Sequence, residues 1–140
     1  MTTASYRDII DQAESLDRTV TVAEEAVRDD LLAAPHVVFT GCGASYHAAA
    51  TAAGLLSSLG PGLATAAPAS DVWMNPDVWL RPGTTVVGLS RTGTTTETVA
   101  ALTTARRHGA GTIGISLTPD TPVISDADSA VVLDHVGERG

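Results

Sequence analysis

The sequence predicts a three-layer α/β/α sandwich built on a parallel sheet of about five strands. Three observations lead there. Short, largely apolar runs, HVVFT (36–40), TTVVGLS (84–90), GTIGIS (111–116) and SAVVLD (129–134), suit strands buried on both faces. Segments with apolar residues at helical spacing stand between them. Loops rich in glycine and hydroxyl residues follow the first two runs directly, where a strand hands over to a helix.

Residues 5–34 read as two helices, one with Ile9, Ile10, Ala13 and Leu16 on its apolar stripe and the next with Val22, Ala26, Val27 and Leu31. Acids fill the other faces. Pro35 closes this N-terminal unit, residues 1–34, and residues 35–140 form the α/β domain. After the strand at 36–40 and the turn GCGAS comes a helix with Ala48, Ala49, Ala52, Leu55, Leu56 and Leu59 at helical spacing. GLATAAPAS (62–70) fits a small strand, and DVWMNPDVWL a short helix or a loop broken by Pro76. The strand at 84–90 leads into a helix over 95–108 with Val99, Leu102 and Ala105 inward. The strands at 111–116 and 129–134 complete the sheet, separated by the proline-bounded TPDTPVISDAD.

With 140 residues, 44% of them hydrophobic and 17% charged, the chain has material for one well-buried domain. No apolar run approaches the roughly 20 residues of a membrane helix. The N-terminus MTTASYRDIIDQAES carries acids where a secretion signal carries basic residues and an apolar core. A soluble, cytoplasmic protein with no membrane partner is expected. Cys42 is the single cysteine, which excludes an internal disulfide, and His36, His47, His108 and His135 lack ligand spacing. No metal and no cofactor is expected. Net charge is -8 and every basic residue is Arg, so the surface repels a nucleic-acid backbone at long range.

In a sheet of this kind ligands bind at the carboxyl ends of the strands. Two loops fall there, TGCGAS (40–45) and SRTGTT (90–95). A phosphate needs several donors converging on one small volume, and a helix N-terminus supplies free N–H groups together with a favourable dipole. Ser90, Thr92 and Thr95 can ring such an anion, while Gly93 lets the backbone come close. Arg91 either pairs with the anion or points to water. Each hydrogen bond to a charged group contributes about 1.5–3 kcal/mol, so a few of them hold a phosphate without lysine. Thr94-x-x-Glu97 matches the capping box, which assigns Glu97 to the helix start. In the first loop Gly41 and Gly43 permit a tight turn and Ser45 can cap the next helix; Cys42 reads as a small buried side chain and His47 as packed or partnered rather than catalytic. Rival phosphate motifs fail on the letters. A Walker A loop needs Lys, and a dinucleotide fingerprint needs a small residue where Tyr46 stands. Aromatics to sandwich a flavin are scarce, at 4%.

Taken together, GCGASYHAA (41–49) and SRTGTTTETVAAL (90–102) resemble the two phosphosugar loops of the sugar isomerase (SIS) domain family, as in the isomerase half of glutamine:fructose-6-phosphate aminotransferase. The resemblance runs from about residue 5 to the end. It implies a five-stranded flavodoxin-like fold, used in tandem pairs and as dimers, that binds phosphosugars. Carried over by position, Ser90, Arg91, Thr92 and Thr95 hold the phosphate around Gly93, and Ser45 with the backbone at Gly43 and Ala44 lies near the sugar. Ala44 stands where the family often has Thr or Ser, which removes one sugar contact; Thr94 replaces a frequent Glu.

VGERG (136–140) resembles the stretch before the family's Ser/Thr-rich opening of the next helix. In aminotransferase-like members the proton-moving base, the ring-opening His and a Lys come from later in the polypeptide. The expectation is therefore the first of two SIS domains of an aldose-ketose isomerase or an amino-sugar phosphate isomerase/deaminase, working through an enediol or enolamine with a carboxylate as proton shuttle. The alternative is a non-catalytic phosphosugar-sensing module. Glu138, an acid near a predicted strand end, is the candidate catalytic residue; its other reading is a solvated C-terminal side chain. Expected partners are a sugar phosphate of the fructose 6-phosphate or amino-sugar phosphate type, and a second SIS domain or a second copy of the chain. Thr2 rather than Cys follows Met1, so glutamine-dependent amination is not expected.

Overall fold

The computed structural model describes residues 3–60 and 62–136. Among them β1 (His36–Gly41), β2 (Leu63–Pro68), β3 (Thr84–Leu89), β4 (Gly111–Ser116) and β5 (Ser129–Val132) form one sheet, paired in the order β2-β1-β3-β4-β5. Every pairing is parallel. This is the flavodoxin-like order, with helices on both faces.

The apolar runs become central strands because successive side chains serve opposite faces. Val37 and Phe39 of β1, Val87 of β3 and Ile113 of β4 pack on one face with Ala49 and Ala53 of α4 (Ala44–Leu59). Val38 and Val86 serve the other face. There they meet Ala69 and Val72 of α5 (Ala69–Met74), Ala101, Leu102 and Ala105 of α7 (Thr96–Arg107), and Val123 of α8 (Pro122–Ser125). Pro76 opens the one-turn α6 (Pro76–Trp79), so the proline-broken segment is two short helices.

The N-terminal region departs from its expected layout. It contains α1 (Ala4–Ile10), α2 (Gln12–Ala26) and α3 (Asp29–Leu32), with the first break at Asp11. Val27 and Leu31 reach the core as the pattern predicts, but Ile9, Ile10 and Leu16 remain exposed, Leu16 at 65%. The reason is position: the C-terminal end of α2 meets the sheet, where Ser129 Oγ donates to the Ala26 carbonyl at 2.7 Å, and the first helical turns have no sheet beneath them. On α4 the inward stripe is Ala49, Ala52, Ala53 and Leu56, while Leu55 and Leu59 face outward, Leu59 at 84% exposure. The last strand also stops sooner than the apolar run, giving way to a 3-10 turn at Asp134–Val136.

At the amino end of β1, His36 lies between Thr84 Oγ1 (3.3 Å) and Thr65 Oγ1 (3.1 Å) on the two neighbouring strands. Burial pushes its pKa below the usual imidazole value, and the nearby Arg81 charge adds to the effect. His36 marks the end of the sheet remote from the loops.

Candidate functional site

β1 leads to β2 on one side while β3 leads to β4 on the other, so the strand order reverses between them. That is the switch point at which such sheets leave a crevice. Because Gly41 and Leu89 are in register, the turns leaving β1 and β3 emerge side by side. A cleft of about 580 Å³ opens between them.

The turn after β1 is made by backbone geometry. Ser45 N–H donates to the Cys42 carbonyl at 3.1 Å, and Gly43 has φ 55 and ψ -126, the first central position of a type II′ turn. Gly41 allows a close approach, since a Cβ there would sit 2.9 Å from the Leu89 carbonyl oxygen and 3.0 Å from Ser45. Gly43, not Ser45, is the N-cap of α4, and no side chain caps the helix. Ser45 instead lies in the first helical turn and lines the cleft, with Ala44 and Ala48.

The turn after β3 is made by side chains. Ser90 is 3% exposed. Its Oγ accepts the Gly93 N–H at 3.0 Å and pairs with Thr95 Oγ1 at 2.8 Å. Gly93 has φ 70, and a Cβ on it would collide with the Thr121 and Ser116 side chains. Thr92 Oγ1 accepts from the Thr94 N–H and hydroxyl at 3.4 and 3.2 Å. The end of β4 straps the loop down, with Ser116 Oγ and Leu117 N–H both donating to the Arg91 carbonyl at 3.2 Å.

The capping box does not form. The N-cap of α7 is Thr95, one residue later than the motif requires; its hydroxyl is turned to Ser90, and Glu97 is exposed in the first turn. The start of α7 therefore has no side-chain cap. Two helices of twelve and sixteen residues thus bring uncapped N-termini to one cleft, each with free N–H groups and a positive dipole end. Arg91 lines the same cleft, and among the described lining residues there is no carboxylate. In a chain of net charge -8 this is a place suited to an anion.

Of the residues singled out from sequence, Ala44, Ser45, Ser90, Arg91, Thr92 and Thr95 line the cleft, while Gly43 and Gly93 shape the turns beneath it. Glu138 lies outside the described residues. His47 is exposed and its ring lies against Tyr46, 5.6 Å between centroids. Cys42 is half-buried and lines the cleft rather than only filling space. Sequence reasoning missed Ala48, Leu89, Ile115, Ser116, Leu117 and Leu133. Ser116 carries a signal for it, as the polar last residue of a strand in a sheet that binds ligands at its strand ends.

Residues 30–138 match the family model of the SIS domain. The chain belongs to the SIS domain family. It is 31% identical over 126 residues to a glutamine–fructose-6-phosphate aminotransferase of Arabidopsis thaliana, covering 88% of this chain and 18% of that protein. It is 44% identical over 52 residues to N-acetylmuramic acid 6-phosphate etherase of Symbiobacterium thermophilum, 37% of this chain and 17% of that one. Among solved structures, glucosamine-6-phosphate deaminase of Thermotoga maritima superposes with a TM-score of 0.80 at 26% identity, over 98% of this chain and 42% of that one. The C-terminal domain of glucosamine-fructose-6-phosphate aminotransferase from Francisella tularensis gives 0.83 at 20% identity, over 99% and 41%, a likeness of fold. This SIS domain thus spans less than a fifth of those two curated relatives and about two fifths of those two structures. No helix among the described residues is long and apolar enough to cross a membrane.

Proposed function

We propose that this SIS domain binds the phosphate of a sugar phosphate in the hydroxyl nest at the start of α7, as part of an aldose-ketose isomerase or an amino-sugar phosphate isomerase/deaminase. The observation that carries the reading is the set Ser90, Thr92 and Thr95 around an uncapped helix start that opens into the cleft. The phosphate oxygens accept from the first N–H groups of α7 and from the hydroxyls, and Arg91 adds charge. Ser45 and the backbone at Gly43 and Ala44 face the sugar.

Isomerisation moves a proton between adjacent carbons and needs a base within reach of them. The described lining offers no carboxylate, so the base is Glu138 or a group from a second SIS module paired with this one. The exposed apolar residues Ile9, Ile10, Leu16, Leu55 and Leu59 are available to such a pairing. The same lack of a base in the described cleft favours a second reading, a module that senses the phosphosugar for a partner and catalyses nothing.

Calorimetry with fructose 6-phosphate against NAD and FMN tests the binding: the sugar phosphate binds and the others do not. Incubation with fructose 6-phosphate in deuterated water separates the two readings. Deuterium entering at C1, and lost in Glu138→Gln, supports the isomerase with Glu138 as its base. Exchange that survives Glu138→Gln assigns the base elsewhere, and binding without exchange leaves the sensor.

A further inference from the structure

We infer that Ser116 is a positioning residue for the phosphate site: through the Arg91 carbonyl it turns the main-chain N–H of Thr92 toward the bound anion. The inference rests on the phosphosugar reading above and goes beyond it, because Ser116 stands on a different strand from the hydroxyl nest and donates nothing to the ligand.

Ser116 lines the cleft and is 1% exposed, yet its hydroxyl is committed within the protein. Its one O–H donates to the Arg91 carbonyl at 3.2 Å, and its oxygen accepts the Thr118 N–H at 3.0 Å. An anion takes donors, and this side chain has none left to offer. Its place in the sheet makes it an anchor instead. It ends β4 in register with Val132 of β5, and its carbonyl accepts the Leu133 N–H at 2.8 Å. A site held from a strand is set more closely than one held from a loop.

What the anchor holds is a peptide plane. In a trans peptide the C=O and the N–H that follows it point in opposite directions. With the Arg91 carbonyl drawn to the Ser116 hydroxyl and the Leu117 N–H, the Thr92 N–H faces away from the end of β4. It donates to none of the described residues, and Thr92 itself lines the cleft. A second tie, from the Val123 N–H to the Gly93 carbonyl at 3.1 Å, holds the far side of the loop. Thr94 gives both its N–H and its hydroxyl to Thr92 Oγ1, so the Thr92 O–H is also left to donate. A free amide and a free hydroxyl beside an uncapped helix start form a concave set of donors for an anion, and Ser116 directs the amide.

Amide proton–nitrogen NMR spectra of the labelled protein, titrated with inorganic phosphate and with fructose 6-phosphate, test this. On binding, the Thr92 amide proton is expected to move downfield together with those of Thr96 and Glu97 at the start of α7. Ser116→Ala abolishes the Thr92 shift and leaves the other two, while affinity for either ligand falls about threefold, since the Leu117 N–H still reaches the Arg91 carbonyl. Equal attenuation at all three amides marks a general loosening of the site and overturns the inference. So does a Thr92 amide that is silent in the parent protein while Thr96 and Glu97 respond, or one that responds unchanged in Ser116→Ala; both leave the phosphosugar reading standing. Silence at all three amides in the parent overturns that reading as well. Where Ser116→Ala does not fold, Ser116→Cys, a weaker donor, takes its place with the same outcomes.

Discussion

The turn after β1 takes its form from the backbone, through the positive φ of Gly43 and the Ser45 N–H bond to the Cys42 carbonyl. The turn after β3 takes its form from side chains, with Ser90 bonded to both Gly93 and Thr95 and its backbone strapped to β4 by Ser116. The two turns line one cleft, yet they divide labour differently. Where glycine makes the bend, the neighbouring side chains Cys42, Ala44 and Ser45 are small and none of them shapes the turn. Where hydroxyls make it, Ser90 and Thr95, which would meet an anion, also hold the loop, so at these two positions stability and binding change together.

Substitutions can break that contrast, and the largest effect is expected at Gly93. Alanine there meets both a positive φ and the Thr121 and Ser116 side chains, so Gly93→Ala should lower stability by about 3 kcal/mol or more in urea unfolding. Ser90→Ala follows, at about 1 kcal/mol, because the Gly93 N–H keeps the Ser90 carbonyl at 3.2 Å and loses only its side-chain acceptor; phosphosugar affinity should fall with it. Gly43→Ala should cost about 1 kcal/mol, from φ alone, since a Cβ there meets nothing within 4 Å. A Gly43→Ala loss matching that of Gly93→Ala would dissolve the contrast.

Thr92 is exposed, so Thr92→Val sharpens the comparison from the other side. Its melting temperature should stay within about 1 °C of the parent. Calorimetric affinity for the sugar phosphate should fall about tenfold, equivalent to about 1.4 kcal/mol. The smallest effect is expected at the far end of the sheet. The folded-state pKa of His36 is lowered, so as pH falls the unfolded chain takes up the proton first. The contribution of His36 to stability is therefore complete above its unfolded value of 6.5 and declines as pH drops below it. Urea midpoints at pH values on either side of that point should differ less in His36→Gln than in the parent.

Four of the five strands are legible as continuous apolar runs, the signature of buried parallel strands, and the run 111–116 coincides with β4; the alanine-rich β2 is a weaker signal and the pairing order is written in none of the runs. The two loops were legible as pairs of unusual residues at strand ends. What escaped was set by tertiary position. Periodicity places Leu55 and Leu59 on an apolar stripe, and only the distance of those turns from the sheet makes them exposed. The capping box failed because the N-cap of α7 is Thr95 rather than Thr94: the Thr94 hydroxyl donates to Thr92 and that of Thr95 pairs with Ser90, five residues back, contacts that no helix-start rule contains. Leu89, Ile115 and Leu133 belong to the cleft through strand register, which a linear reading does not supply.

The register that sets Gly41 beside Leu89 has a kinetic corollary. Neither turn can assemble the cleft until β1 and β3 have met across the whole of α4, β2, α5 and α6, so the pocket is a product of long-range closure, the kind of contact that slows folding. Edits to β2, α5 and α6 within that crossover leave the lining residues untouched, since the cleft is bounded by the ends of β1, β3 and β4, the start of α4 and Leu133.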